Sequence, residues 1–368
     1  MGKTREHIYY LDYLRLFGAV SVVYMHTAAP GLRAGITRGW HFMNLATSLA
    51  FTAVPIFFMI SGYLLLSDPN TLRPEVLLRR RLPRLVIPLA VWTTATALWN
   101  CYEAGWTLSL REQLNDALHA PIVTPLWFMY YLIFVYLLTP LLYGGVHMLD
   151  RDGVRYVLGI VAVLSLGAMV RAFLPERLDR YASLEVLARL QSSLSYVFLF
   201  LLGYFLGNWK RKVPNLLLAA VAAAAYAVIV LGTWWLSAKN GSYDTSFQDQ
   251  SAGFEVLLAA CLFLLAKQNL NRDALWMRRV AAAPLLMPVY LMHALQLKIF
   301  YFHEVHPMRF PQIVGYTLLN LLLCLLISKT AASIKPLCYP LTGMPYQAAC
   351  RSCNWQYTWH LCHKGNPE

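Results

Sequence analysis

The chain has 368 residues, of which 58% are hydrophobic and only 13% charged, with a mean hydropathy of +0.47 and a formal charge of +13 at pH 7. Soluble domains hold about 45–50% apolar and about 25% charged residues, so a disordered chain, a coiled coil and an ordinary cytosolic enzyme are excluded. No recognition-helix, finger or RNP-type pattern accompanies the basic surplus. It fits the Lys and Arg that membrane proteins keep in cytoplasmic loops, and no nucleic-acid partner is expected.

Apolar blocks of about 20 residues, enough to cross a hydrocarbon layer, recur along the chain. The expected fold is all-α and polytopic, with ten spanning helices near 11–29, 44–66, 85–101, 124–146, 154–173, 190–207, 214–237, 252–266, 280–302 and 310–333. An even number of crossings puts both termini on one side. The loops of that side hold most of the Lys and Arg, which makes it the cytoplasm of a multi-pass cell-membrane protein. Residues 1–335 form the membrane domain and 336–368 a cytoplasmic, Cys-rich tail. The longest outer loop, about 102–123, has an amphipathic stretch around Leu108–Leu118. No signal peptide is expected, because no small-residue cleavage site follows the first apolar block.

Function is sought among ionisable residues inside those blocks, because charge in lipid is costly. The first block, YLDYLRLFGAVSVVYMHT, holds Asp12, Arg15 and His26. Asp12 and Arg15 are three apart and share a helix face. Arg15 and His26, eleven apart, share a face too, separated by about 16 Å along the axis. An imidazole at that depth suits a general base; it equally suits a buried histidine satisfied by a backbone carbonyl. At the mouth of the third block, LLRRRLPRLVIPLAVW holds Arg79, Arg80, Arg81 and Arg84, with Arg81 and Arg84 on one face. Such a cluster serves phosphate oxygens, or anchors the chain by snorkelling to lipid phosphates.

Ser61 and Gly62 permit close helix contact and Tyr63 adds a hydroxyl. Trp127 opens the fourth block, where an aromatic belt explains it as well as a substrate contact does. His293 and Lys298 interrupt the ninth block. Glu255 is a candidate to orient or charge-balance His26 if the first and eighth helices adjoin; otherwise it is an exposed interfacial carboxylate. In the tail, Cys350, Cys353, His360, Cys362 and His363 are read as reduced thiols and free imidazoles, because their spacing matches zinc sites poorly; no metal is expected.

Taken together, these motifs resemble the acyltransferase-3 family of integral membrane acyltransferases. The carrying residues are Arg15 and His26 as Arg-x10-His behind Asp12, VPIFFMISGYLL at Val54–Leu65, Arg81-Leu-Pro-Arg84 followed by Pro88, LLGYFLG at 201–207 and VYLMHA at 289–294. The LWFMYYL segment resembles the branch of surface-glycan O-acetyltransferases. The resemblance implies an acyl-CoA donor, usually acetyl-CoA, reached from the cytoplasm, and an acceptor hydroxyl on a glycan or lipid-linked sugar. It implies nucleotide phosphates at Arg79, Arg80, Arg81 and Arg84, with Arg15 deeper and His26 as general base or acyl-carrying nucleophile. Tyr63, Trp127 and His293 are substrate-binding candidates beside the catalytic candidates His26, Arg15 and Glu255. A transporter or flippase with an anion path is the competing reading. The lack of internal repeats and of a Gly or Pro break in the middle of the first helix counts against it.

Overall fold

The computed structural model describes residues 7–150, 152–157, 159–160, 163, 184–250, 253–273, 283–301 and 309–353. All regular elements among the described residues are helical. Six helical stretches among them are long and apolar enough to cross a membrane: Arg38–Leu66, Pro74–Glu103, Thr124–Met148, Asn215–Asn240, Ser246–Asn269 and Phe310–Ser333. Most of the span expected at 154–173 lies outside the described residues, as does the tail beyond 353.

Helix α1 (Tyr9–Arg33) is the hub, packed against α2 (Arg38–Ala50), α3 (Ala53–Leu66), α9 (Gly253–Asn269), α10 (Ala283–Tyr301) and α11 (Phe310–Ser333). Its Asp12–Arg15 ion pair, at 2.7 Å, forms as the spacing predicts. Helices α2 and α3 form one long crossing, interrupted at Phe51–Thr52. Pro55 explains the break, since it has no N–H to offer the carbonyl one turn back.

The tightest seam joins α3 to α7 (Leu184–Asn208). A Cβ on Gly62 would sit 1.8 Å from the Phe200 carbonyl oxygen, and one on Gly203 2.1 Å from the Met59 carbonyl oxygen. Gly203 and Gly207 are four apart, a small-xxx-small face that brings the two backbones together. Lys267 of α9 then caps the end of α7, its Nζ donating to the carbonyls of Leu206, Gly207 and Trp209 at 2.9, 2.6 and 2.7 Å. Across the molecule α8 (Asn215–Asn240) is tied to α2 by Asn44, which donates to the Val230 carbonyl. Buried Gln248 in turn donates to Asn44 and Ser48, so these polar groups have partners in the interior.

The stretch expected as an outer loop folds back. After α4 (Pro83–Glu103), the amphipathic helix α5 (Leu110–His119) turns down along it, and Leu114, Ala117 and Leu118 share a groove with Val86, Leu89 and Thr93. The chain then starts α6 (Trp127–Met148) deep among the other helices, where two tyrosines satisfy exposed carbonyls. Tyr130 donates to Ala117 at 2.6 Å, and Tyr290 of α10 donates to Pro125. Irregular backbone at membrane depth requires such internal partners. The sequence identified the amphipathic helix but not the surface it covers.

Candidate active site

The arginine cluster is shaped by proline. Pro83 cannot donate an N–H, and the preceding Leu77–Arg81 segment takes a π turn, with the Leu82 N–H bonded to the Leu77 carbonyl at 2.8 Å. The turn sets Arg81 and Arg84 on one cavity. That cavity, about 460 Å³, is lined by Arg15, Ser61, Asp68, Arg81, Arg84 and Tyr136 at one end and by Phe57, Phe128 and Tyr290 at the other. The three arginines of the two sequence motifs therefore share one space.

The guanidiniums differ in how far they are committed. Arg81, 15% exposed in its side chain, is paired with Asp68 and also donates to Thr71. Arg79 is paired with Glu75 at 3.0 Å on the surface. Arg80 and Arg84 make no ion pair among the described residues, so their charge is open to an anion. A second, polar recess of about 480 Å³ adjoins the cavity through Asp68 and Arg81, and is lined by Arg73, Arg79 and Arg80.

His26 lies toward the opposite end of α1. Its ring stands 5.3 Å, centroid to centroid, from that of His293 on α10. His293 is fully buried; its Nδ1 is 2.7 Å from the Tyr290 carbonyl, and its Nε2 has no hydrogen-bond partner among the described residues. The carbonyl must accept, so Nδ1 carries the proton and Nε2 of the neutral ring keeps a lone pair. From α11, Asn320 donates to the His293 carbonyl at 3.2 Å, and Cys324 donates to both Asn320 and Gln296. This polar seam fixes the depth of α10 beside α11. His26 itself makes no hydrogen bond among the described residues.

The cavity does not run through to the histidines. Phe57, Phe128 and Tyr290 stand between, with ring centroids 5.3 to 6.5 Å apart, and Tyr290 lies 5.9 Å from the His293 ring. The tip of the Phe57 ring meets α1 at Gly18, where a Cβ would be 2.5 Å from its Cζ. Along α1, Gly18 is about 12 Å short of His26. An aromatic partition thus separates the arginine end from the imidazole pair.

Glu255 is not the exposed interfacial carboxylate of the alternative reading. It is fully buried, and neither carboxylate oxygen has a hydrogen-bond partner among the described residues. The sequence placed it at a helix end but could not show that α1 and α9 adjoin there and exclude water. It shares the His26 end of the bundle without bonding to His26. Burial raises the pKa of Tyr243 in the loop before α9, with nearby Arg33 opposing and Glu255 adding to the shift. Tyr63 faces Gly207 rather than the cavity. Trp127 packs edge-on against Phe128 and Tyr131 and at a tilt against Tyr196. Lys298 donates to Asn100 at 2.6 Å, bracing α10 against α4. Phe57, Asp68, Tyr136 and Tyr290 were missed in the sequence, because each hides in an aromatic or loop stretch whose composition has a simpler explanation.

Long apolar helices with a charged cavity and paired imidazoles in their interior are those of a multi-pass membrane protein that works on a polar group. A family model described as an acyltransferase domain matches residues 8–329, and the chain belongs to this acyltransferase-3 family. It is therefore a membrane acyltransferase. No curated protein and no solved structure matches the chain.

Proposed function

We propose that the chain is an O-acyltransferase that takes an acyl group, most simply acetyl, from cytoplasmic acetyl-CoA and transfers it to a hydroxyl of a cell-surface glycan or its lipid-linked precursor. The observation that carries this reading is the shared cavity of Arg15, Arg81 and Arg84, which ends against the aromatic partition next to the His293–His26 pair. In this reading the nucleotide phosphates meet Arg80 and Arg84 and the recess beside Arg73. The pantetheine arm lies in the cavity, and the thioester passes Phe57. His26 removes the acceptor hydroxyl proton as the oxygen attacks the thioester carbonyl. The tetrahedral intermediate collapses, the C–S bond breaks and CoA leaves as the thiol with that proton. In the covalent variant the His26 ring attacks first and hands the acyl group on. His293, with its free Nε2, holds or relays the proton, and buried Glu255 sits on the acceptor side.

The direct test is transfer of radiolabelled acetyl from acetyl-CoA, by the purified chain, to surface polymers or lipid-linked sugars from a strain lacking the gene. No transfer to any fraction overturns the reading. Arg84→Ala is expected to raise the acetyl-CoA KM about tenfold or more, since a charge-assisted contact contributes about 1.5–3 kcal/mol. An unchanged KM assigns Arg84 to lipid anchoring. Phe57→Ala widens the partition by a ring. The rate with butyryl-CoA relative to acetyl-CoA is expected to rise at least tenfold, the order that one or two methylenes command in an apolar site. An unaltered ratio places the acyl chain elsewhere.

A further inference from the structure

The cavity is closed on one side by chain that lies beyond the family match. After α11 the chain forms α12 (Lys335–Thr342), which turns back against α4, and Thr342, Gly343 and Met344 line the same cavity as Arg15, Arg81 and Arg84. The seat is specific. Pro88 has no N–H, so the Arg84 carbonyl lacks its usual partner one turn on. Gly343 sits over that carbonyl, where a Cβ would lie 2.1 Å from the oxygen. Its φ of +70° is the left-handed conformation that glycine adopts without strain, and it ends α12. The Trp92 indole donates to the Leu341 carbonyl at 3.2 Å, and buried Cys338 donates to the Met344 carbonyl at 3.3 Å. Two contacts, Gly343 on the Arg84 carbonyl and Trp92 on the Leu341 carbonyl, thus hold this turn against the helix that bears Arg84, and Cys338 braces it from within α12.

We propose that Thr342–Met344 is a built wall of the donor site, touching the pantetheine arm of acyl-CoA beside Arg84, and that donor affinity depends on it. The inference rests on the donor reading of the cavity. The tail that begins at residue 336 is then, in its first turns, part of the active site rather than an appendage. Met344 lines the cavity, whereas Gly343 sets the position of the wall through the backbone, so the two substitutions act differently.

The experiment measures CoA binding to the purified full-length chain by calorimetry, with unliganded melting as the check on folding. Met344→Trp fills the cavity without touching the Gly343 seat and is expected to weaken CoA binding about tenfold or more. Gly343→Ala forces the wall off Arg84 and is expected to weaken CoA binding to a similar extent, with a lower melting temperature. CoA binding by Met344→Trp equal to wild type overturns the wall while leaving the donor reading intact. A wild-type chain that binds no CoA overturns the donor reading itself, and the wall with it.

Discussion

His26→Ala is expected to lower acyl transfer by about 10²–10⁴-fold, the range that a positioned general base supplies, and further still if the imidazole carries the acyl group. The substitution is unusually clean. His26 makes no hydrogen bond among the described residues, so its removal leaves no described buried group newly unpaired. The melting temperature should fall by only a few degrees, about what 1 kcal/mol shifts in a chain of this size or smaller. His293 offers the contrast. It is fully buried, and its Nδ1 bonds the Tyr290 carbonyl, so His293→Ala is expected to cost stability as well as rate. Full activity in His26→Ala dismisses it as the base. A burst of one CoA per enzyme without acceptor selects the covalent route over the general-base route.

The candidate residues were legible wherever they broke the rules of lipid. Arg15, His26, His293 and the Arg79–Arg84 cluster stand out because a charge or an imidazole in an apolar run is costly, although a satisfied histidine or a lipid anchor reads the same in sequence. Their meeting places were not legible. That His26 faces His293 depends on how α1 packs on α10, which Asn320 of a third helix holds by the His293 carbonyl. Glu255 was read at a helix end, where exposure and burial look alike in sequence; only the packing around α9 excludes water from it. Helix α5 was visible as an amphipathic segment, yet a hydrophobic face does not name its partner, and the deep start of α6 rests on tyrosine hydroxyls 13 and 165 residues away from the carbonyls they satisfy. The tail was read as separate because it follows the last apolar block and is rich in cysteine. Its place at the cavity depends on a glycine seated over a carbonyl that a proline left unpaired, a fit between two distant segments.

Gly62→Val is expected to remove the folded protein altogether, and Gly203→Val likewise. The α3–α7 seam brings backbone to backbone: the new Cβ would lie 1.8 Å from the Phe200 carbonyl oxygen in the first case and 2.1 Å from the Met59 carbonyl oxygen in the second. A flexible side chain can swing aside from such a clash, but a helix backbone moves only by parting the two helices. Overpacking a core costs about 1–3 kcal/mol when side chains can adjust and more when they cannot. With total stabilities of about 5–15 kcal/mol, the larger figure unfolds many chains. Parting α3 from α7 also disturbs Met59 through Tyr63, the turn that carries the cavity residue Ser61, and it pulls the Gly207 carbonyl from Lys267. Gly207→Ala is the graded comparison, because its Cβ would meet the Tyr63 ring at 2.1 Å and a ring can rotate. Size-exclusion profiles of detergent-extracted, fluorescently tagged variants give the measure. The expected order of monodisperse protein is wild type, then Gly207→Ala, with both valine variants near zero. A monodisperse Gly62→Val with wild-type melting would mean that the two helices do not approach so closely, and the depth at which α3 presents its cavity residues would have to be redrawn.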